Sequence, residues 1–374
     1  MLRLHIIQAR NGDCLLLEFG TPSRPRFMLI DGGPATVYSN HLRGKLQEIC
    51  TAGGQLDLVV LSHVDDDHVR GLLDLFKELQ AQHRDGAYPF IQINAMWHNT
   101  FSQTMGPEVE ERFQMLMSEE LTGRDLMVHS SLESRSIAQG DELTRMAYDL
   151  DLPINPEFLP RGVIAVDYSP PPFTLANLRL QIVGPTRKNL ERLRKQWGVW
   201  LDVNEKQVLV RDPLLAEQAA IKADRSIPNL SSIMFLAEAG GKTILFTGDG
   251  RGEHLLAGLR QAHLLDAQGC LHVDVLKVPH HGSARNVKRD FFKKITADTY
   301  VISADGTDDN PDLLTLVWIV DTAKELGREV QILVTNETES TRKLLSRRPP
   351  DQFCYHLITM PPQDSLLTLD LIDG

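Results

Sequence analysis

Short apolar runs, each ended by turn residues, dominate the hydrophobic pattern of the chain. Runs bounded by glycine, proline, asparagine or aspartate are typical of buried β-strands. Early strands are predicted at Leu2–Ile7, Cys14–Phe19, Phe27–Ile30, Leu58–Leu61 and Pro89–Trp97. Later strands are predicted at Leu178–Val183, Ser232–Glu238, Lys242–Phe246, Asp274–Val278, Thr299–Ser303, Val330–Val334 and Leu366–Leu371. Because the strands form two groups, each followed by helices, we expect two mixed sheets packed face to face and flanked by helices.

Helical periodicity separates these strands. Apolar residues spaced three or four apart predict a helix that includes Leu72–Leu79. Other helices are predicted at His41–Cys50, Asn189–Trp200 and Leu313–Leu326. The stretch Thr100–Pro153 is mostly helical in pattern, and residues 201–225 are dense in charge. The prediction is a single α+β domain over residues 1–374, with a largely helical insertion or lid within residues 100–225.

One polar cluster stands at the end of a predicted buried strand. Two imidazoles and three carboxylates follow Leu58–Leu61, namely His63, Asp65, Asp66, Asp67 and His68. Carboxylates this close repel one another unless a cation compensates them. A solvated acidic turn would explain the aspartates, but neither the flanking histidines nor the strand before them. The pattern therefore predicts a metal site with His63, Asp65, Asp67 and His68 as ligands.

The spacing His63-x-Asp65-x-Asp67-His68 resembles the His-x-His-x-Asp-His motif of metallo-β-lactamase-fold hydrolases, with aspartate in place of the second histidine. That exchange, with Gly71 shortly after, resembles the hydrolase domain of ComEC-type DNA-uptake proteins. The resemblance implies a four-layer αββα sandwich with metals at the sheet edge between its halves. It also implies that Asp31, in a strand-Asp-Gly-Gly turn, supports the metal loop. No apolar run approaches the roughly 20 residues that span a bilayer. The resemblance therefore covers only the hydrolase domain of the DNA-uptake proteins and not their membrane channel.

Two later motifs extend the resemblance. Asp249 lies in Thr-Gly-Asp-Gly after a predicted strand, where the glycines allow close approach and a carboxylate can bridge two cations. The resemblance implies that bridging role. The run Leu-Lys-Val-Pro-His-His-Gly-Ser, ending at Ser283, also matches the ComEC-type pattern. Adjacent side chains on an extended segment point apart, so one histidine should bind metal and the other act on the substrate. The sequence leaves the choice open; we prefer His280 as ligand and His281 as catalytic group.

Other residues are assigned to the substrate. Asn229 and Ser232 resemble an Asn and a Ser of the family and are predicted to face the substrate, a plain turn being the alternative. His98 ends a strand predicted to run beside the metal edge and is predicted to contact substrate or metal, a surface or hydrogen-bonded histidine being the alternative. Catalytic roles are assigned to Asp67, His281 and Lys277. The basic residues that would neutralise a phosphate are Lys277, Arg285, Lys288 and Arg289, a solvated helix start being the alternative. Ser283 is assigned to substrate binding, or to capping its loop.

Two departures from the family pattern weaken the predicted ligand set. No histidine stands at the third-motif position between His98 and Asn229, since His129 falls in the helical insertion. The run Asp309-Asn310-Pro311 also lacks a histidine that ComEC-type chains often carry before the proline. The ligand set of the first metal is therefore incomplete by sequence alone.

Composition narrows the class of protein. A balance of 39 Lys+Arg against 50 Asp+Glu gives a net charge of −11, which argues against a nucleic-acid coat or a membrane-surface protein but not against a nuclease. The four cysteines are far apart and form no Cys-x-x-Cys pair. Nothing in that spacing suggests a disulfide framework or a thiolate zinc site, and a reducing cytoplasm is the expected compartment. No signal peptide or membrane span is visible.

The predicted cofactor is a pair of divalent cations, Zn²⁺ or Mn²⁺, with the carboxylate at position 65 favouring Mn²⁺. Such a pair lowers the pKa of a shared water and stabilises an oxyanion, which suits several hydrolyses. The basic run and the resemblance favour a phosphodiester substrate, in DNA or a nucleotide. Alternatives are hydrolysis of a small ester, lactone or amide, or a partner role with a weakened site in a multi-protein bacterial defence system. The 100–225 insertion could gate substrate or dock a protein partner.

Overall fold

A computed structural model describes residues 1–106, 108–112, 115, 132–168, 172–210 and 228–372. Its first sheet has six strands in the order β14-β1-β2-β3-β4-β5. They are β1 (Leu2–Ile7), β2 (Leu15–Thr21), β3 (Arg24–Ile30), β4 (Leu56–Val60), β5 (Met96–Trp97) and β14 (Leu366–Ile372). Strands β3, β4 and β5 are parallel, so their carboxyl ends share one edge.

The second sheet has eight strands in the order β13-β12-β11-β10-β9-β8-β7-β6. They are β6 (Phe173–Leu175), β7 (Leu178–Gly184), β8 (Met234–Ala239), β9 (Lys242–Phe246), β10 (Leu271–Lys277), β11 (Ile295–Ile302), β12 (Val330–Val334) and β13 (Tyr355–Thr359). Strands β9 to β13 run parallel, and β6 to β9 are joined antiparallel. The carboxyl ends of β9 and β10 therefore lie side by side.

Helices connect and cover these strands. The α-helices are α1 (Arg43–Thr51), α2 (Asp66–Arg84), α3 (Phe101–Met105), α4 (Leu132–Asp149), α5 (Arg187–Val210), α6 (Gly252–Gln261), α7 (Arg289–Lys294), α8 (Leu313–Glu325), α9 (Glu339–Arg347) and α10 (Pro350–Phe353). Shorter turns are the π-turn Tyr38–Leu42 and the 3₁₀ turns Pro156–Phe158, Val166–Tyr168, Pro228–Ser231, Pro279–Gly282 and Thr307–Asp309.

Three apolar layers hold the sandwich together. Between the sheets, Met28 and Val60 from the first pack with Phe235 and Ile244 from the second. Outside the first sheet, the apolar faces of α1 and α2 cover its other side. Outside the second sheet, α6 to α9 do the same. Alternate residues of a strand face opposite layers, so strands buried on both faces read as continuous apolar runs. The predicted α+β sandwich in αββα order is confirmed.

Some predicted elements differ from the structure. The predicted strand Pro89–Trp97 is reduced to β5, because before it only a single bridge, Ile93 to Leu56, joins the segment to its neighbour. Within the segment assigned to the insertion, the strand predicted at Leu178–Val183 is present as β7, whereas β6, which pairs with it in the second sheet, was not predicted. Residues 211–225 and much of the segment between α3 and α4, including His129, lie outside the described residues.

Candidate metal centre

Four parallel strands end at the same edge of the sandwich, and the predicted site residues follow them. Asp31 follows β3, His63 follows β4, Asp249 follows β9 and the His280–His281 pair follows β10. Side chains at the carboxyl ends of strands from both sheets can converge there. The fold therefore brings together residues that the sequence separates by more than half its length.

The loop after β4 leads straight into helix α2. Asp65 has extended backbone angles and precedes the first helical residue, Asp66. Asp67 and His68 then lie in the first turn, where the positive end of the helix dipole favours carboxylates. The change from strand to helix turns His63, Asp67 and His68 toward one centre.

Asp31 holds this loop in place, as the resemblance implies. Its carboxylate accepts hydrogen bonds from the backbone N–H and the hydroxyl of Ser62, both at 2.7 Å. It also lies 2.8 Å from Nδ1 of His68. A carboxylate at Nδ1 fixes the ring and leaves Nε2 free to bind a metal.

Asp249 stands at the middle of the centre, and its two oxygens face different groups. Oδ1 lies 3.4 Å from Nε2 of His68 and 3.5 Å from Nε2 of His281. Asp67 joins this group, with Oδ2 at 3.4 Å from the same nitrogen of His281. Oδ2 of Asp249 faces His63 at 3.6 Å and His280 at 3.4 Å.

Asp65 completes the second group, with Oδ2 lying 3.5 Å from Nε2 of His63. Ligand atoms bound at about 2.0–2.2 Å to a tetrahedral ion lie about 3.3–3.6 Å from one another. The observed spacings match that geometry. Moreover, Nε2 of His63 and Oδ1 of Asp249 are buried with no hydrogen-bond partner among the described residues. Such atoms fit a divalent cation better than they fit empty space.

Asp13 is a member of the cluster that the sequence did not suggest. One ligand atom from each of Asp13, His68, Asp249 and His281 lies within 4.8 Å of the others. Asp13 comes from the turn between β1 and β2, and its backbone N–H donates to the carbonyl of Asp67 at 3.2 Å. Its only sequence signal was an Asn-Gly-Asp turn, which does not indicate that Asp13 meets His68 and His281 in the fold.

Lys277 does not face a substrate. It is 1% exposed, and its Nζ lies 2.5 Å from Oδ2 of Asp13 and donates to the carbonyl of Val278. The predicted contact of Lys277 with a phosphate therefore has no route in this structure, because the ammonium is buried in an ion pair.

Proton binding in the metal-free cluster follows its charges. Burial by itself lowers the pKa of His68, but the carboxylates of Asp249, Asp31 and Asp67 outweigh it and raise that pKa well above its usual value. Burial likewise disfavours ionised Asp249, yet the surrounding imidazoles hold its pKa well below the ordinary range. Without metal, these shifts favour a protonated His68 beside ionised Asp249, and a bound cation would displace that proton.

The sequence predicted an extended segment at His280 and His281, but the structure has a tight turn there. Both residues have positive φ, at 49° and 53°, within the turn that follows β10. This tight turn points the two rings at different oxygens of Asp249. His281 is buried with His68, whereas the side chain of His280 is 30% exposed. The choice between the two as ligand stays a prediction, and this geometry allows both to bind, one in each group.

The predicted substrate residues are placed unequally. Nδ2 of Asn229 lies 3.4 Å from Nδ1 of His280, and the hydroxyl of Ser232 is buried without a hydrogen-bond partner in the described structure. Ser283 donates its backbone N–H to His280, which fits the loop-cap alternative. Arg285 is exposed. Of these residues, Asn229 and Ser283 contact His280 directly.

His98 is not among the side chains that meet there. It is 1% exposed, and its ring lies beside the backbone of Gly140. Burial lowers its pKa to about 4, so the ring is neutral. Since His98 lies outside the cluster around Asp249, its contact with substrate or metal stays a prediction.

Comparison with known proteins finds similarity only at the level of solved structures. No family model and no curated protein matches the sequence. Among solved structures, the chain is similar to Zn²⁺-bound PqqB from Methylobacterium extorquens, with 14% identity, a TM-score of 0.37 and coverage of 99% of this chain and 100% of that one. In the described residues, no helix is long and apolar enough to cross a membrane. The topology of the two sheets and the cluster of two histidines and two aspartates agree with the αββα sandwich and the metal site that the sequence predicted.

Proposed function

We propose that the chain is a hydrolase that uses two divalent cations bridged by Asp249. The observation that carries the proposal is the division of ligands between the two oxygens of this carboxylate. His63, Asp65 and His280 would hold one cation, and Asp67, His68 and His281 the other. His280 then takes the place of the histidine that the sequence lacks in its third motif.

Charge balance supports two cations over one. Five carboxylates and one ammonium surround the centre: Asp13, Asp31, Asp65, Asp67, Asp249 and Lys277. With neutral imidazoles, four negative charges remain. Buried charge is costly unless it is compensated. Two divalent cations neutralise the centre, and one leaves it with two uncompensated charges.

Exposure defines the side from which substrate would approach. The side chains of Asp65, Asp67 and His280 are 27%, 26% and 30% exposed, while His63, His68 and Asp249 are nearly inaccessible. When bound, the cations supply an activated water and stabilise negative charge that develops on the substrate. Asn229 is 4% exposed and lies beside His280, and we expect its amide to donate a hydrogen bond to a substrate oxygen.

The preferred substrate is a phosphodiester in DNA or a nucleotide. Support comes from the ComEC-type motifs and from Arg285 and Lys288, which are exposed just after the His280–His281 loop. Arg289 is paired with Glu325, so it contributes less free charge. Basic residues close to a metal pair favour an anionic substrate.

Hydrolysis of bis-p-nitrophenyl phosphate, single-stranded DNA and p-nitrophenyl acetate by Mn²⁺- and Zn²⁺-loaded protein tests the proposal. We expect cleavage of both phosphodiesters, and a loss of about 100-fold or more in Asp249→Ala, because removing even a residue that only supports a metal ligand costs 10- to 100-fold. Asp364→Ala, an exposed aspartate, is the matched control. Cleavage of the acetate alone would replace the phosphodiesterase with the ester hydrolase. No hydrolysis by metal-loaded protein would support the partner role instead.

A further inference from the structure

Helix α4 (Leu132–Asp149), from the region between the core motifs, lies directly on the loop that carries Asp65. The hydroxyl of Ser136 donates to Oδ1 of Asp65 at 3.3 Å. One turn later, Gln139 donates to the carboxylate of Asp66. Gly140 packs so closely against Val64 that an added Cβ would lie 2.7 Å from its methyl carbon. Three successive residues of the metal loop are thus contacted by one helix face.

The contact at Asp65 falls at the position where this chain departs from the histidine motif. An imidazole presents one nitrogen to a metal, and ring packing fixes its direction. A carboxylate has two equivalent oxygens and can rotate, so an aspartate here needs a partner that selects one of them. Ser136 engages Oδ1, while Oδ2 is the oxygen that lies near Nε2 of His63.

We propose that Ser136 is a positioning residue for the cation held by His63, Asp65 and His280. Its hydroxyl occupies one oxygen of Asp65 and directs the other to the cation, which makes the insertion part of the metal centre. This inference rests on the proposed two-cation function. Supporting hydrogen bonds to metal ligands typically govern metal affinity by 10- to 100-fold.

The burial of Ser136 sharpens the alternative. The residue is 5% exposed. The alternative to positioning is a purely structural role, in which the loss of Ser136 weakens the packing of α4 and has no specific effect on metal binding. A structural role predicts equal changes at both cation positions. A positioning role predicts a change at one.

Metal titration separates these roles without an activity assay. Mn²⁺ binding followed by electron paramagnetic resonance, together with Zn²⁺ competition against a chromogenic chelator, yields the affinity of each position. In Ser136→Ala we expect one position to weaken by about 10-fold and the other to stay unchanged. Ser136→Thr, which keeps a hydroxyl, should bind like wild type. Thr144→Ala on the same helix is the matched control. Among the described residues, the Thr144 hydroxyl donates only to the backbone carbonyl of Gly140 in its own helix.

A double-variant comparison assigns the effect to Asp65. In an Asp65→Ala background, Ser136→Ala should cause no further loss of affinity, because the two changes remove the same interaction. If wild-type protein binds two cations and Ser136→Ala binds both of them equally well, the inference is overturned and the proposed function is left intact. Wild-type protein that binds no divalent cation would overturn both.

Discussion

At the scale of single residues, the sequence motif correctly located Lys277 beside the metal loop but assigned it a contact with substrate that its burial does not support. The sequence placed it beside the His280–His281 pair, where a cation could neutralise a phosphate. In the structure its ammonium is buried against Asp13, next to His281. A buried ammonium is tolerated only with a paired carboxylate. We therefore assign Lys277 to holding Asp13, and with it the loop of His281, in place.

Lys277→Met should destabilise the fold by about 3–5 kcal/mol, because it leaves the Asp13 carboxylate buried without its partner. Urea unfolding of the metal-free protein measures this loss. Adding Asp13→Asn should restore much of it. Lys293→Met, which breaks the exposed pair with Glu325, is the control and should cost about 1 kcal/mol or less. Unchanged stability together with a raised KM for a phosphodiester would return Lys277 to substrate binding.

Residues close together in sequence were predictable, and residues joined only by the fold were not. His63, Asp67 and His68 lie within one loop, so their convergence could be read from spacing. Asp13 meets its partners only after both sheets have formed. The turn of His280 and His281 has positive φ at non-glycine residues, which the sequence did not signal. That turn gives each histidine its own oxygen of Asp249.

At the scale of elements, the first turn of α2 is held against the turn after β3 by direct backbone contact. The N–H of Gly32 donates to the carbonyl of His68 at 2.8 Å, and the N–H of Gly71 donates to Gly33 at 3.0 Å. A Cβ on Gly71 would lie 1.9 Å from the carbonyl oxygen of Gly32. Only glycine allows this approach, which sets the position of His68.

Gly71→Ala should therefore cost about 1–3 kcal/mol or more, because the backbones must separate to admit the methyl group. It should also weaken metal binding, since α2 carries Asp67 and His68. Chemical unfolding and metal titration measure the two effects. Gly198→Ala in α5 is the control: nothing lies within 4 Å of the added Cβ, so stability should hold or rise by up to about 1 kcal/mol. Equal stability of Gly71→Ala and wild type would show that the contact is not tight.

Element prediction succeeded where strands are buried on both faces. Strands β1 and β12 have the predicted bounds, because most residues of each strand are apolar and all but one of each are buried. It failed at β13, a sheet-edge strand whose partly exposed residues give no apolar run. It also failed at β6, which has only three residues. Short or exposed strands are stabilised by neighbours rather than by their own pattern.

At the scale of the whole molecule, the apolar layer between the sheets sets the distance between the ligands carried by the first sheet and those carried by the second. The first sheet supplies the loop of His63 and His68, and the second supplies Asp249, His280 and His281. Bound cations would join the two halves of the sandwich. The sandwich itself followed from strand grouping and motif resemblance, whereas the return of β6 and β7 to the second sheet depends on long-range pairing that no local pattern reveals.

Metal content per chain, measured by elemental mass spectrometry on protein reconstituted with Mn²⁺ or Zn²⁺ and freed of excess ion, tests the central claim most directly. We predict two cations per wild-type chain and at most one in Asp249→Ala, because the bridging carboxylate contacts both ligand groups. Asp364→Ala should retain two. A wild-type chain with no bound cation, or an Asp249→Ala chain that still binds two, would contradict the account of a two-cation centre organised around Asp249.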